Sequence, residues 1–118
     1  MIFVAKNEDG IPSWKLIQLN RKTVTRRLKP LWIGKEFAIQ PGRGKFAICR
    51  GEVTSCMPHD RWLIKNAIFV TEPNDAKQIL DNEAHKEGFN SWHGLMRYFE
   101  EKGINVKDLY RIEFKIIN

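Results

Sequence analysis

The chain has few cysteines, no long apolar run and no linker-like tract, and each shortage removes a class of protein. Two cysteines, Cys49 and Cys56, are too few for a disulfide framework and read as reduced thiols of a cytoplasmic protein. The apolar opening Met1-Ile2-Phe3-Val4-Ala5 meets Lys6, Glu8 and Asp9 at once, so no secretory core of about seven apolar residues forms. Trp62-Leu63-Ile64 and Ala67-Ile68-Phe69-Val70 are split by Lys65-Asn66 and fall short of a membrane span, which predicts a soluble protein without a membrane partner. With no repeat and no Pro/Gly/Ser-rich divider, one domain over residues 1–118 is expected, and 42% apolar residues suffice for its core. Cys56 and His59 stand at C-x-x-H spacing, but zinc asks for about four ligands, so neither a metal nor any other cofactor is expected. Gly42-Arg43-Gly44-Lys45 is no phosphate-binding loop of a nucleotide triphosphatase, because Ile39 and Phe46 stand where that motif needs Gly and Ser or Thr.

Acidic residues are scarce in one third of the chain. Between Asn20 and Arg50, nine basic residues face the single acid Glu36, a balance of +8 within a total of +6, which leaves the rest at −2. Clustered Lys and Arg attract phosphates and release counterions, so nucleic acid is the first partner to consider, against a solvated basic face as the plain alternative.

The local patterns predict a mixed α+β fold built on a small curved sheet or barrel. Ile2–Ala5 reads as a strand, Ile11–Leu19 as a short helix behind Pro12-Ser13, and Arg21–Leu28 as an extended segment leaving a turn. Glu36–Gln40 and Lys45–Ser55 read as a hairpin around Pro41-Gly42-Arg43-Gly44, and Trp62–Val70 as a further strand in which Lys65-Asn66 equally marks a start or a turn. A helix starts at Pro73-Asn74-Asp75, shares Ala76, Ile79, Leu80 and Ala84 on one face and ends at Gly88. A second, capped by Ser91, carries Trp92, Leu95, Met96 and Phe99 and stops at Gly103. In Leu109–Ile117 the apolar Tyr110, Ile112, Phe114 and Ile116 alternate with Arg111, Glu113 and Lys115, the mark of a half-buried strand.

The basic third holds the chemistry. Alternation along an extended segment puts Thr25 and Arg27 on one face, and a turn near Lys22 is needed to bring its amine beside them. A threonine hydroxyl attacks a carbonyl if a lysine of lowered pKa takes its proton, and Arg21, Arg26 and Arg27 crowd Lys22. The plainer reading is a basic edge strand holding phosphates. Glu87, taken alone, reads as a surface carboxylate, and His59, His85 and His93 as surface or packing residues. Trp14, Trp32, Trp62 and Trp92 are core candidates, with Trp32 also placed to stack on a base. The Gly42–Lys45 segment reads first as a tight turn and second as a phosphate contact through its backbone, Arg43 or Lys45.

Asn20-Arg21-Lys22-Thr23-Val24-Thr25-Arg26-Arg27 resembles the G-x-K-x-x-[E/T]-x-R signature of ASCH domains, with Asn20 in place of Gly. The strand-ending Tyr110-Arg111-Ile112-Glu113-Phe114, the run Phe37 to Lys45 and Glu87-Gly88-Phe89 after a helix are also similar to small bacterial and phage ASCH proteins. The resemblance implies a PUA-like small β-barrel with flanking helices and a basic cleft for RNA or a modified nucleoside. One bacterial branch removes the acetyl group from N(4)-acetylcytidine with a Lys, a Thr three residues later and a Glu after the helix. Those roles fall here on Lys22, Thr25 and Glu87, with Arg21, Arg26, Arg27, Gln40, Arg43 and Lys45 left to hold the ligand. Other members are non-catalytic RNA binders, and ribonuclease activity has been proposed for some; a protein-interaction domain whose basic face meets an acidic protein is the further alternative.

Overall fold

The computed structural model describes residues 1–68 and 70–117. Its four strands, β1 (Val24–Arg27), β2 (Glu36–Ile39), β3 (Cys49–Pro58) and β4 (Tyr110–Ile117), form one antiparallel sheet in the order β1-β4-β3-β2. The sheet curls into a half-barrel flanked by helices, an α+β architecture. A register shift between Val53 and Ser55 lets the long β3 bend. Four α-helices are described: α1 (Ser13–Gln18), α2 (His59–Leu63), α3 (Pro73–Lys86) and α4 (Trp92–Glu101).

Alternation in β4 works as the sequence implies: Ile112 and Phe114 are buried in a core with Phe3, Ile17, Phe37, Ile39 and Val53. A second core joins Ala84, Phe89, Leu95, Phe99 and Leu109 under α3 and α4. Gly51 faces the ring of Phe37, where a Cβ would stand 2.7 Å from the nearest ring carbon, so only glycine fits there.

Three sequence expectations are corrected. Ile2–Ala5 is not a regular strand: it makes a single parallel bridge, Ile2 to Gln40, because its other side is taken by the start of α1 through Ser13 N–H to Ala5 and Trp14 N–H to Phe3. Trp62–Val70 is not a strand either. Trp62 and Leu63 finish α2, and Ile64–Ile68 form a π-helical turn that buries Ala67; Phe69 lies outside the described residues. The second strand of the hairpin starts at Cys49, not Lys45, since residues 41–48 are consumed by the turn. Among the described residues no helix is long and apolar enough to cross a membrane.

Two helix ends redirect the chain. After α1 it turns at Asn20, with φ of 57°, and closes with Asn20 N–H to Ile17 and Arg21 N–H to Leu16. After α3, Gly88 at φ of 90° does the same, with Gly88 N–H to His85 and Phe89 N–H to Ala84. Both are left-handed caps in which the last carbonyls of the helix are satisfied and the chain leaves sharply. Asparagine tolerates this conformation better than most other side chains.

Candidate functional site

A cleft of about 660 Å³ opens between β1 and the N-terminal segment on one side and α4 on the other. Its polar floor carries Lys22, Thr25, Arg27 and Glu87, with Arg26 bordering it. Its apolar walls include Ile2 to Ala5 on one side and Phe89, Leu95, Tyr98 and Phe99 on the other. Of the residues singled out in the sequence, Arg21, Gln40, Arg43 and Lys45 do not line it. Arg21, Arg43 and Lys45 are exposed, and Gln40 accepts from the Met1 amino group and donates to the Lys45 carbonyl at the base of the β2–β3 turn.

The cap at Asn20 sends Lys22 inward. Its Nζ donates to the carbonyls of Val24 at 2.8 Å and Glu87 at 3.1 Å, so the amine sits beside the end of α3 but meets the backbone of Glu87 and not its carboxylate. Burial is the chief cause that lowers the Lys22 pKa to about 8; Glu87 opposes it, and Arg27 and Arg26 reinforce it. Arg27 stacks on Phe3 at 4.7 Å and donates through Nε to the Thr25 hydroxyl at 3.1 Å and through Nη2 to the Ile2 carbonyl at 2.9 Å. Thr25 and Arg27 thus share a face, as alternation requires.

Arg26 points the other way and is fully buried. Directly across the strands stands Arg111, a like-charge pairing that would repel. Glu83 of α3 resolves it, accepting from Arg26 Nη2 at 2.8 Å and from Arg111 Nη2 at 3.0 Å, with a further bond from Arg111 Nε. Burial alone would raise the Glu83 carboxyl, yet Arg111 and Arg26 hold it below the usual carboxylate range. Arg26 Nε donates to His59 Nδ1 at 2.9 Å, and the guanidinium lies over Trp62 and Trp92 at 5.4 and 5.7 Å. Burial first, and Arg26 second, push the His59 pKa down to about 4.

Glu87 follows Glu83 by one helical turn and faces the same way, held at the end of α3 by the cap at Gly88. Its side chain is buried, not on the surface. The carboxylate lies 3.6 Å from Arg26 Nη1, and neither Glu87 Oε1 nor Arg26 Nη1 has a hydrogen-bond partner among the described residues.

The structure adds residues that the sequence does not single out. Tyr98 of α4 presents its ring to the cleft, packed on Phe89 and Phe99; burial raises its phenol pKa, Arg27 lowers it and Glu87 raises it, so the hydroxyl stands within electrostatic reach of both. Glu83, Arg111 and His59 support the floor. Two carboxylates one turn apart beside the buried Ala84 were the available signal for the first of these. Cys49 and Cys56 are free thiols, and no group of three or more His, Cys, Asp or Glu comes together among the described residues. Compared with known protein families, with curated proteins and with solved structures, the chain has no match.

Proposed function

We propose that the protein is a PUA-like domain of the ASCH type that binds a modified cytidine in this cleft and hydrolyses the acetyl amide of N(4)-acetylcytidine. The observation that carries the reading is the meeting of Lys22, Thr25 and Glu87, from two distant parts of the chain, on the floor of one cleft. The amine is buried and softened to a pKa of about 8, so about a tenth of it is neutral at pH 7 and able to accept a proton.

Neutral Lys22 takes the proton of the Thr25 hydroxyl as its oxygen attacks the acetyl carbonyl carbon. The bond from Arg27 Nε to that same oxygen steadies it as it gives up its proton, and the negative charge then passes to the acetyl carbonyl oxygen. The proton passes by way of the Glu87 carboxylate to the exocyclic nitrogen, the carbon–nitrogen bond breaks, and cytidine leaves an acetyl ester on Thr25. Water then attacks the ester with Lys22 as base, releasing acetate and restoring the hydroxyl. The apolar walls of the cleft suit the flat base and keep bulk water from the amine. The test is release of cytidine and acetate from N(4)-acetylcytidine by the wild type, Lys22→Ala and Thr25→Ala. Turnover in the wild type alone supports the reading; an inert wild type removes it.

One observation favours a second reading, an RNA-binding module without turnover. Phe46 is 96% exposed beside Lys45, and Trp32 is 67% exposed with the Lys35 amine 4.6 Å over its ring. Exposed rings among cations are stacking platforms for unpaired bases. The loops that carry them leave the rim of the cleft, one from Leu28 and one from Gln40 beside Ile2. Filter binding of single-stranded RNA at several salt concentrations tests this; affinity that ignores salt counts against phosphate contacts.

A further inference from the structure

In the acyl step negative charge passes to the acetyl carbonyl oxygen, and the side chains already assigned are not free to receive it. Arg27 spends Nε on the Thr25 hydroxyl and Nη2 on the Ile2 carbonyl, and Lys22 gives two protons to carbonyls and must be neutral to act. Tyr98 stands on the opposite wall, carried by α4. An oxyanion of this kind is stabilised by a donor fixed in place before the reaction. The main chain of β1 holds one.

The direction of each β1 amide follows from the ladder it makes with β4. Phe114 N–H donates to the Thr23 carbonyl at 3.0 Å, so these two residues form a hydrogen-bonded pair next to the Val24–Glu113 step of the register. Such pairs alternate along an antiparallel ladder. Thr25 and Arg27 therefore bond to Ile112 and Tyr110, while Val24 and Arg26 turn their N–H and C=O groups the other way. That side has no strand beyond it, because β1 is the edge of the sheet. The Lys22 amine sits on this same edge, on the Val24 carbonyl. The Arg26 N–H comes next along it and has no partner among the described residues. The residue as a whole is 5% exposed and its side chain 0%, so the surface that Arg26 keeps is main chain, and Arg26 borders the cleft.

We propose that the main-chain N–H of Arg26 is the oxyanion donor of the site. The inference rests on the proposed hydrolysis and adds the group that its acyl step lacks. Thr25 and Arg26 share one peptide bond, so the donor is built beside the nucleophile. As the Thr25 oxygen bonds to the acetyl carbon, the carbonyl π pair moves onto the acetyl oxygen and the N–H receives it. When the pair returns, the carbon–nitrogen bond breaks and the nitrogen leaves with the proton carried by Glu87. The Arg26 side chain takes no part in these steps. Held by Glu83 and His59, it anchors the strand so that the N–H keeps its direction.

The experiment replaces this one amide by an ester. Cys49 lets the full chain be joined from synthetic segments 1–48 and 49–118, with the α-hydroxy analogue of arginine at position 26. Every side chain is kept, and the lost N–H has no partner within the fold, so the urea midpoint is expected to change little. On N(4)-acetylcytidine kcat is expected to fall about 10²-fold or more with KM within about threefold of wild type. A kcat within about threefold of wild type overturns the assignment and leaves the hydrolase reading in place. An inert wild type overturns both. Should the ester chain fail to fold, NMR on the wild type with methylboronic acid decides, since boron takes the Thr25 oxygen and holds a hydroxyl where the acetyl oxygen would stand. The Arg26 amide proton is then expected to move downfield in the wild type and not in Thr25→Ala. An amide proton that stays in place overturns the assignment.

Discussion

Arg27 Nε donates to the Thr25 hydroxyl oxygen at 3.1 Å, so the proposed nucleophile is approached by a fixed cation before any substrate arrives. Removing one donor that stabilises charge in an acyl-transfer transition state costs about 10²–10³ in turnover. Arg27→Met is therefore expected to lower kcat on N(4)-acetylcytidine by about that factor. Steady-state kinetics on the purified variant is the check, and a kcat within about threefold of wild type speaks against the role.

The state of Lys22 makes the pH dependence explicit. Its pKa is lowered to about 8, so the neutral base fills in as pH rises and kcat/KM should climb through pH 8 and level off above it. The same shift sets a stability trend. The unfolded lysine holds its proton up to its ordinary pKa of 10.5, so the folded state is penalised below pH 8 and relieved as pH rises from about 8 to 10.5. Removing the charge should recover at most about 3 kcal/mol at neutral pH, less what the two carbonyls lose as partners. Lys22→Met is expected to be inactive and to unfold at higher urea than wild type at pH 7; an unchanged or lower midpoint contradicts it.

His59 acts on stability in the same direction as Lys22, in a lower pH window. It is buried and neutral, with its pKa lowered to about 4, so the unfolded chain takes up the proton first as pH falls below 6.5. Its contribution is complete above pH 6.5 and fades toward pH 4, at most about 3 kcal/mol in all. Urea midpoints measured between about pH 7 and pH 4 should fall more steeply for wild type than for His59→Gln, whose amide oxygen can still accept from Arg26. Parallel curves rule this out.

Glu83 is the only carboxylate that bonds both Arg26 and Arg111 among the described residues. Glu83→Gln leaves two buried guanidinium groups facing each other across β1 and β4 with no charge between them, and about 3–5 kcal/mol of stability is expected to go. Calorimetry on the variant checks the figure. A loss under about 1 kcal/mol would mean that water enters and screens the pair.

Much of the fold was legible because it obeys local rules. The alternation of β4, the Ser91 cap that accepts from Gly94 N–H at 3.0 Å and the turn at Asn20 all depend on neighbours in sequence. Trp62–Val70 misled because a short apolar run has no period of its own. The buried residues there, Trp62 and Ala67, are five apart and lie on a helix whose start at His59 follows a proline. In the site, Lys22, Thr25 and Arg27 stood out as a basic cluster, but clustering does not tell a solvated cation from a buried one. Arg21 is exposed and Arg26 is not. The acid that decides this, Glu83, lies 57 residues further along and acts only once β1 and α3 meet.

The sheet order has a consequence for how the protein is made. β4 is the strand that comes last in sequence, yet it lies between β1 and β3 and pairs with both. On the ribosome β1 emerges early and waits without a neighbour, carrying Thr25 and Arg26 on an unpaired edge, until residue 117 has cleared the exit tunnel. The cleft therefore forms only once β4 has emerged, and stalling before that point would expose β1 as a basic, aggregation-prone strand.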